Sequence, residues 1–79
     1  MRDSTLDMLQ PGEHGTIKQL RSSLPQVRQR LLELGMTNGT PVELIRVAPM
    51  GDPIEVKIKG YRLSLRRLEA EAVVVQRGR

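Results

Sequence analysis

The spacing of apolar and polar positions changes several times along this chain, and each change predicts an element. Residues 54–59 give the cleanest signal. Ile54, Val56 and Ile58 alternate with Glu55, Lys57 and Lys59, a period of two that places the three aliphatic side chains on one face of a strand. Gly60 interrupts the pattern, and Tyr61, Leu63 and Leu65 resume it as a further strand. Upstream, Val42 to Val47 is a β-branched run too short for a helix, bounded by the turn cluster Thr37-Asn38-Gly39-Thr40 and by the breaker Ala48-Pro49-Met50-Gly51-Asp52-Pro53. His14 to Leu20 predicts an earlier strand, and Ala72 to Gln76 a final one, with a tight helical turn over Arg66 to Glu71 between strands.

One segment follows the helical period instead. Leu24, Val27, Leu31 and Leu34 fall at i, i+3, i+7 and i+10, with Ser22 or Ser23 available as a cap, Pro25 in the first turn and Gly35 as the left-handed stop. Arg28, Arg30 and Glu33 lie off this stripe and are expected to face water. Near the N-terminus, Ser4 and Asp7 have the spacing of a capping box on a single helical turn that Pro11-Gly12 ends. Gly78 and Arg79 are expected to fray. Residues 39–44 and 51–56 both read Gly-x-Pro-aliphatic-Glu-aliphatic. A 12-residue offset is too short for a structural repeat, so the same strand start is used twice across one hairpin.

Short strands with Gly and Pro at their corners, around one helix, predict a mainly β fold with inserted helices, a small and partly open barrel. The expected core is Ile17, Val27, Leu34, Val42, Leu44, Ile54, Val56, Ile58, Leu63, Val73 and Val75. At 79 residues the chain fits a single domain, 1–79, with its core spanning about residues 6–76. No apolar run of signal-peptide length follows a basic start, and nowhere do about 18 apolar residues follow one another. The expectation is a cytoplasmic protein without membrane insertion, and a homo-oligomer is compatible with the pattern.

Composition narrows the chemistry. There is no cysteine, which removes disulfides, iron–sulfur ligation, thiolate zinc sites and cysteine nucleophiles together. His14 is the single histidine, beside Glu13, whereas a firm transition-metal site needs three or four converging ligands. These two residues are weak metal candidates, suited at most to a loosely held divalent ion or one shared between chains; no cofactor is expected. Neither a Ser-His-acid nor a paired-carboxylate arrangement stands out, and Ser64 and the glutamates read as surface polar groups, so no enzymatic activity is expected. The spaced glycines of phosphate-binding loops are missing as well.

Thirteen Lys and Arg against nine acids give a net charge of +4, with Lys57, Lys59, Arg62, Arg66, Arg67, Arg77 and Arg79 toward the C-terminal end. That charge suits nucleic acid, but single-strand binders stack bases on aromatic rings, and Tyr61 is the one aromatic residue. A groove for proline-rich peptides meets the same objection. The remaining signal is apolar residues in exposed settings. Met36 and Met50 sit in turn segments, where thioethers make partner contacts, with core packing as the rival placement. Leu31 and Leu32 are adjacent on the helix and cannot both face one core.

The series Leu31-Leu32-Glu33-Leu34-Gly35-Met36, Gly39, Val42, Arg46-Val47-Ala48-Pro49-Met50-Gly51-Asp52-Pro53, Gly60 and Leu65-Arg66 resembles the FeoA family, small cytosolic components of bacterial ferrous-iron uptake systems. The resemblance runs from about Leu6 to Val75, with Met50 where the family often has Leu, a volume-conserving change. It implies an SH3-like β-barrel with inserted helices and a non-catalytic accessory role beside FeoB, the membrane permease that carries a GTP-binding domain. Docking is then expected through the helix end and the Pro-rich hairpin tip, with Leu32, Met36 and Met50 as apolar anchors and Arg28 and Arg46 as rim charges. The alternative is a basic barrel that binds nucleic acid.

Overall fold

The computed structural model describes residues 3–78; the expectation for Arg79 lies outside them. Six strands form one antiparallel sheet: β1 (Asp3–Thr5), β2 (His14–Leu20), β3 (Pro41–Val47), β4 (Ile54–Ile58), β5 (Tyr61–Leu65) and β6 (Val73–Arg77). Their order is β1-β6-β2-β3-β4-β5. The sheet curls without closing, since β5 and β1 are its two free edges. Helix α1 (Pro25–Glu33) connects β2 to β3, and the short α2 (Arg67–Ala70) connects β5 to β6.

Period-two patterning places the core where expected. Ile17, Val42, Leu44, Ile54, Val56, Ile58, Val73 and Val75 are buried in one cluster. Val27, Leu34 and Leu63 pack against it only partly buried, while Leu6, Leu9, Leu31, Met36, Leu65, Ala70 and Ala72 complete it. Two register shifts interrupt simple alternation, between Ile17 and Gln19 on β2 and between Leu44 and Arg46 on β3. The second inserts Ile45 as an extra residue, so that Arg46 faces Glu55 and Val47 faces Ile54. The repeated Gly-x-Pro start holds in part: Gly39 and Gly51 both have positive φ, 91° and 88°, but Pro41 is the first residue of β3 whereas Pro53 lies before β4.

Three local expectations are corrected. Ser4 belongs to β1, where it pairs with Val75. The turn that follows is a 3-10 turn, Leu6–Met8, without a side-chain cap; the Thr5 hydroxyl donates to Asp7 instead. At α1 the N-cap is Leu24, itself exposed, and Ser22 Oγ accepts the Leu24 N–H at 3.0 Å. Pro25 stands at the start of the helix because its missing N–H has no acceptor there to lose.

The third correction is Met36, which is fully buried and so cannot be an exposed anchor. Gly35 (φ 93°) ends α1, its N–H donating to Leu32 O at 3.0 Å while the Met36 N–H reaches back to Leu31 O, also at 3.0 Å. These two bonds define a Schellman motif, in which the residue after the glycine packs on the helix residue five positions earlier. Met36 and Leu31 hold those positions, and both are 0 % exposed.

Candidate partner-binding surfaces

Helix α1 leaves one apolar side chain outside. Leu31 is buried, and the next residue, about 100° further around the helix, must turn away; Leu32 is 45 % exposed. Arg28, one turn earlier, is held at its base by a bond from Nη1 to Leu20 O, 3.1 Å. A shallow groove between α1 and β2 is lined by Lys18, Leu20, Arg28 and Leu32, with Met36 beneath and Thr37 and Asn38 at one end. The structure therefore unites three of the expected docking residues in one place, Met36 as floor rather than anchor.

The other two, Arg46 and Met50, belong to the β3–β4 hairpin. Met50 is 92 % exposed at its tip. The tip is nonetheless fixed: Gly51 N–H donates to Ala48 O at 2.8 Å and Ala48 N–H to Pro53 O at 3.0 Å, and Asp52 Oδ1 accepts the Arg67 N–H at 3.1 Å. Arg46 Nε lies 3.2 Å from a Glu55 carboxylate oxygen, whose other oxygen is 3.8 Å from Arg62 Nη1. Two arginines thus share one acid.

Sequence reasoning missed two polar anchors. Glu69 is buried, 5 % exposed, accepting the Arg66 N–H at 2.9 Å and lying 2.6 Å from Arg30 Nε. It is the glutamate half of a capping box whose other half is absent, because an arginine at the cap has no side-chain acceptor. Arg30, expected in water, is the tie between α1 and α2. Tyr61 secures the same, C-terminal, end of α1, where its hydroxyl donates to Leu34 O at 2.9 Å and so meets one of the carbonyls a helix end leaves without a partner. Only the spacing Arg66-x-x-Glu69 ahead of Ala70 carried a signal for the first; nothing local carried one for the second.

The metal candidates do not converge. Glu13 Oε1 accepts the Gln10 N–H at 2.6 Å, and His14 Nε2 instead approaches Glu43 across the β2–β3 ladder, at 3.6 Å. Among the described residues, no group of three or more His, Asp or Glu side chains could hold a metal ion, and no helix is long and apolar enough to cross a membrane.

A six-stranded antiparallel sheet with an inserted helix and a hydrogen-bonded hairpin tip defines a small, mainly β domain. Residues 4–77 match the FeoA domain, and the chain belongs to the FeoA family. A solution structure of the FeoA protein from Chlorobium tepidum superposes with a TM-score of 0.84 at 38 % identity, covering 94 % of this chain and 70 % of that one. The zinc-complexed FeoA of Stenotrophomonas maltophilia, described as a prokaryotic SH3 domain protein, gives 0.81 at 29 % identity over 92 % of this chain and 89 % of that one. The fold is accordingly SH3-like. A Porphyromonas gingivalis protein described as a fusion of Fe(2+) transport protein A with the Fe(2+) transporter FeoB is 37 % identical over 49 residues, which are 62 % of this chain and 6 % of that protein. This chain thus matches only a small part of that relative's length, and its family is one of ferrous-iron transport.

Proposed function

We propose that this chain is a non-catalytic, cytoplasmic accessory component of ferrous-iron uptake that docks on the cytosolic part of a FeoB-type GTPase permease and modulates transport. The observation that carries the docking surface is Met50: a 92 % exposed apolar side chain on a tip already held by Pro49, Pro53 and the Asp52–Arg67 bond, so that little ordering entropy is lost on binding. Leu32 supplies the second apolar contact, with Arg28 and Arg46 at the rims. The natural fusion of the two components in the Porphyromonas relative supports the pairing, since joining them in one chain raises their effective concentration.

The test is capture of the permease's cytosolic domain with and without guanine nucleotide, alongside uptake in cells. Leu32→Gln and Met50→Asp should each weaken capture by about 2 kcal/mol or more, the effect typical of a central apolar anchor, and abolish uptake while circular dichroism remains native. Normal capture and uptake by both folded variants would move the docking surface elsewhere.

Divalent metal is held weakly under this reading, through His14 with Glu43 or Glu13 or by sharing between two chains. Calorimetry on a verified monomer should show no stoichiometric Fe²⁺ or Zn²⁺ site tighter than about 1 µM; finding one would overturn the reading.

A further inference from the structure

We infer that the free edge of β5 is a second docking site, one that accepts an extended protein segment of alternating acidic and apolar residues as a seventh strand. This surface lies apart from the α1 groove and adjoins the hairpin's Arg46 through the shared Glu55, and the inference does not depend on the iron-transport reading.

The backbone supplies the first argument. Lys59 (φ 48°) and Gly60 (φ 84°) form the two-residue loop between β4 and β5, and positive φ at both positions is the mark of a type I′ turn. Such a turn closes with the N–H of its last residue bonded to the carbonyl of its first. Tyr61 therefore faces Ile58 in a hydrogen-bonded pair, and the alternation of an antiparallel ladder turns Leu63 and Leu65 toward β4 as well. The N–H and C=O groups of Arg62 and Ser64 are left pointing away from the sheet. No backbone hydrogen bond outside the ladders involves residues 61–65, so these four groups have no partner within the described residues. β1, the opposite edge, is only three residues long.

Charge selects the occupant. On the face that Arg62 presents, the ladder sets His14, Glu43, Lys57 and Arg62 side by side across β2, β3, β4 and β5. The acid lies inward in this row, and its last two members are cations. Glu55 is the neighbouring carboxylate, already shared by Arg46 and Arg62, and Lys57 takes part in no ion pair among the described residues. A strand added beyond Arg62 would meet this row with a carboxylate, the favourable cross-strand pairing. On the other face Tyr61 is 46 % exposed and Leu63 is partly buried, a footing for the intervening apolar residues. Cations on an edge strand also discourage pairing with a second copy; with a net charge of +4, this chain repels itself there while attracting an acidic strand.

The experiment uses the full chain, labelled with ¹⁵N, and short blocked peptides: Glu and Val alternating, the same composition with the Glu and Val in separate blocks, and Lys and Val alternating. The alternating Glu peptide should shift resonances centred on residues 61–65 and protect the Arg62 and Ser64 amides from hydrogen exchange at about 150 mM salt. Arg62→Glu should weaken it about tenfold or more. Ser64→Pro removes one outward N–H, at an edge position where proline is tolerated, and should remove binding; if that variant does not fold, Arg62→Glu and the amide protection decide. Equal binding of the block peptide, shifts centred outside β5, protection that rises with protein concentration in the absence of peptide, or tighter binding of a single-stranded oligonucleotide at the same residues would each overturn the proposal.

Discussion

The sheet and helix α1 are attached to the same core by different means. β4 buries Ile54, Val56 and Ile58, three of its five residues, and β6 buries Val73, Val74 and Val75. Over nine residues α1 buries only Leu31. What the helix lacks in apolar burial is supplied at its rim by directed polar contacts: Arg28 to Leu20 O, Arg30 to Glu69 and Tyr61 to Leu34 O. The sheet is thus stabilised by area removed from water, which is insensitive to exact geometry, and the helix by a few bonds that fix its orientation. A helix held at its edges can turn Leu32 outward without loosening its own attachment, which leaves an apolar side chain at the surface.

The largest expected effects test the two attachments directly. Val56→Ala and Leu31→Ala should each lower stability by about 2–5 kcal/mol, close to unfolding for a domain of this size, whereas Leu32→Gln should stay within about 0.5 kcal/mol. Thermal and urea denaturation measure all three. A Leu31→Ala as mild as Leu32→Gln would break the comparison, because the helix would then not rest on the core at all.

The contrast also governs what could be read from the amino-acid sequence. Alternation located β4 and β5 to the residue, while β2, read from a β-tolerant segment between turns, and β3, read from a β-branched run, came within a residue of their bounds. β1 escaped notice because Asp3-Ser4-Thr5 has no apolar member; β6, already buried, selects it from the other side. Val74 is buried despite its opposite parity, which alternation alone does not predict. The helical stripe overstated burial because Leu24 lies before the helix, where the period no longer applies. Of the docking candidates, the exposure of Leu32 and of Met50 was legible, because one follows from helical geometry and the other from its turn. Met36 was misplaced for want of one pattern: an apolar residue after a C-terminal glycine, five positions beyond Leu31, belongs inside. Glu69 and Arg30 could not be paired from sequence, since 39 positions separate them and charged residues are ordinarily solvated.

A smaller effect sharpens the polar side of the comparison. Glu69→Ala strands the Arg66 N–H and frees Arg30, and should lower stability by about 1–3 kcal/mol. Arg30→Ala should do less, because that side chain is half exposed and Glu69 keeps its backbone donor. A double-mutant cycle should return a coupling above about 0.5 kcal/mol. Additive effects would mean that Arg30 and Glu69 act independently and that α1 is oriented by its other contacts, Leu31, Arg28 and Tyr61 among them.

The smallest effect on folding concerns Arg46, and it distinguishes a rim charge from an anchor. Its side chain is 75 % exposed, and its partner Glu55 retains Arg62 when Arg46 is removed, so Arg46→Ala should change stability by no more than about 0.5 kcal/mol. If the tip docks through Met50 with Arg46 at its border, the same change should slow association with the permease's cytosolic domain and flatten its dependence on salt, leaving dissociation nearly as it was. Met50→Asp should do the reverse and act chiefly on dissociation, as loss of a desolvated apolar contact does. Rates measured by stopped flow at two salt concentrations separate the cases. Should Arg46→Ala accelerate dissociation as much as Met50→Asp, the arginine would be a central contact, and the docking surface at the tip would be governed by charge rather than by the methionine.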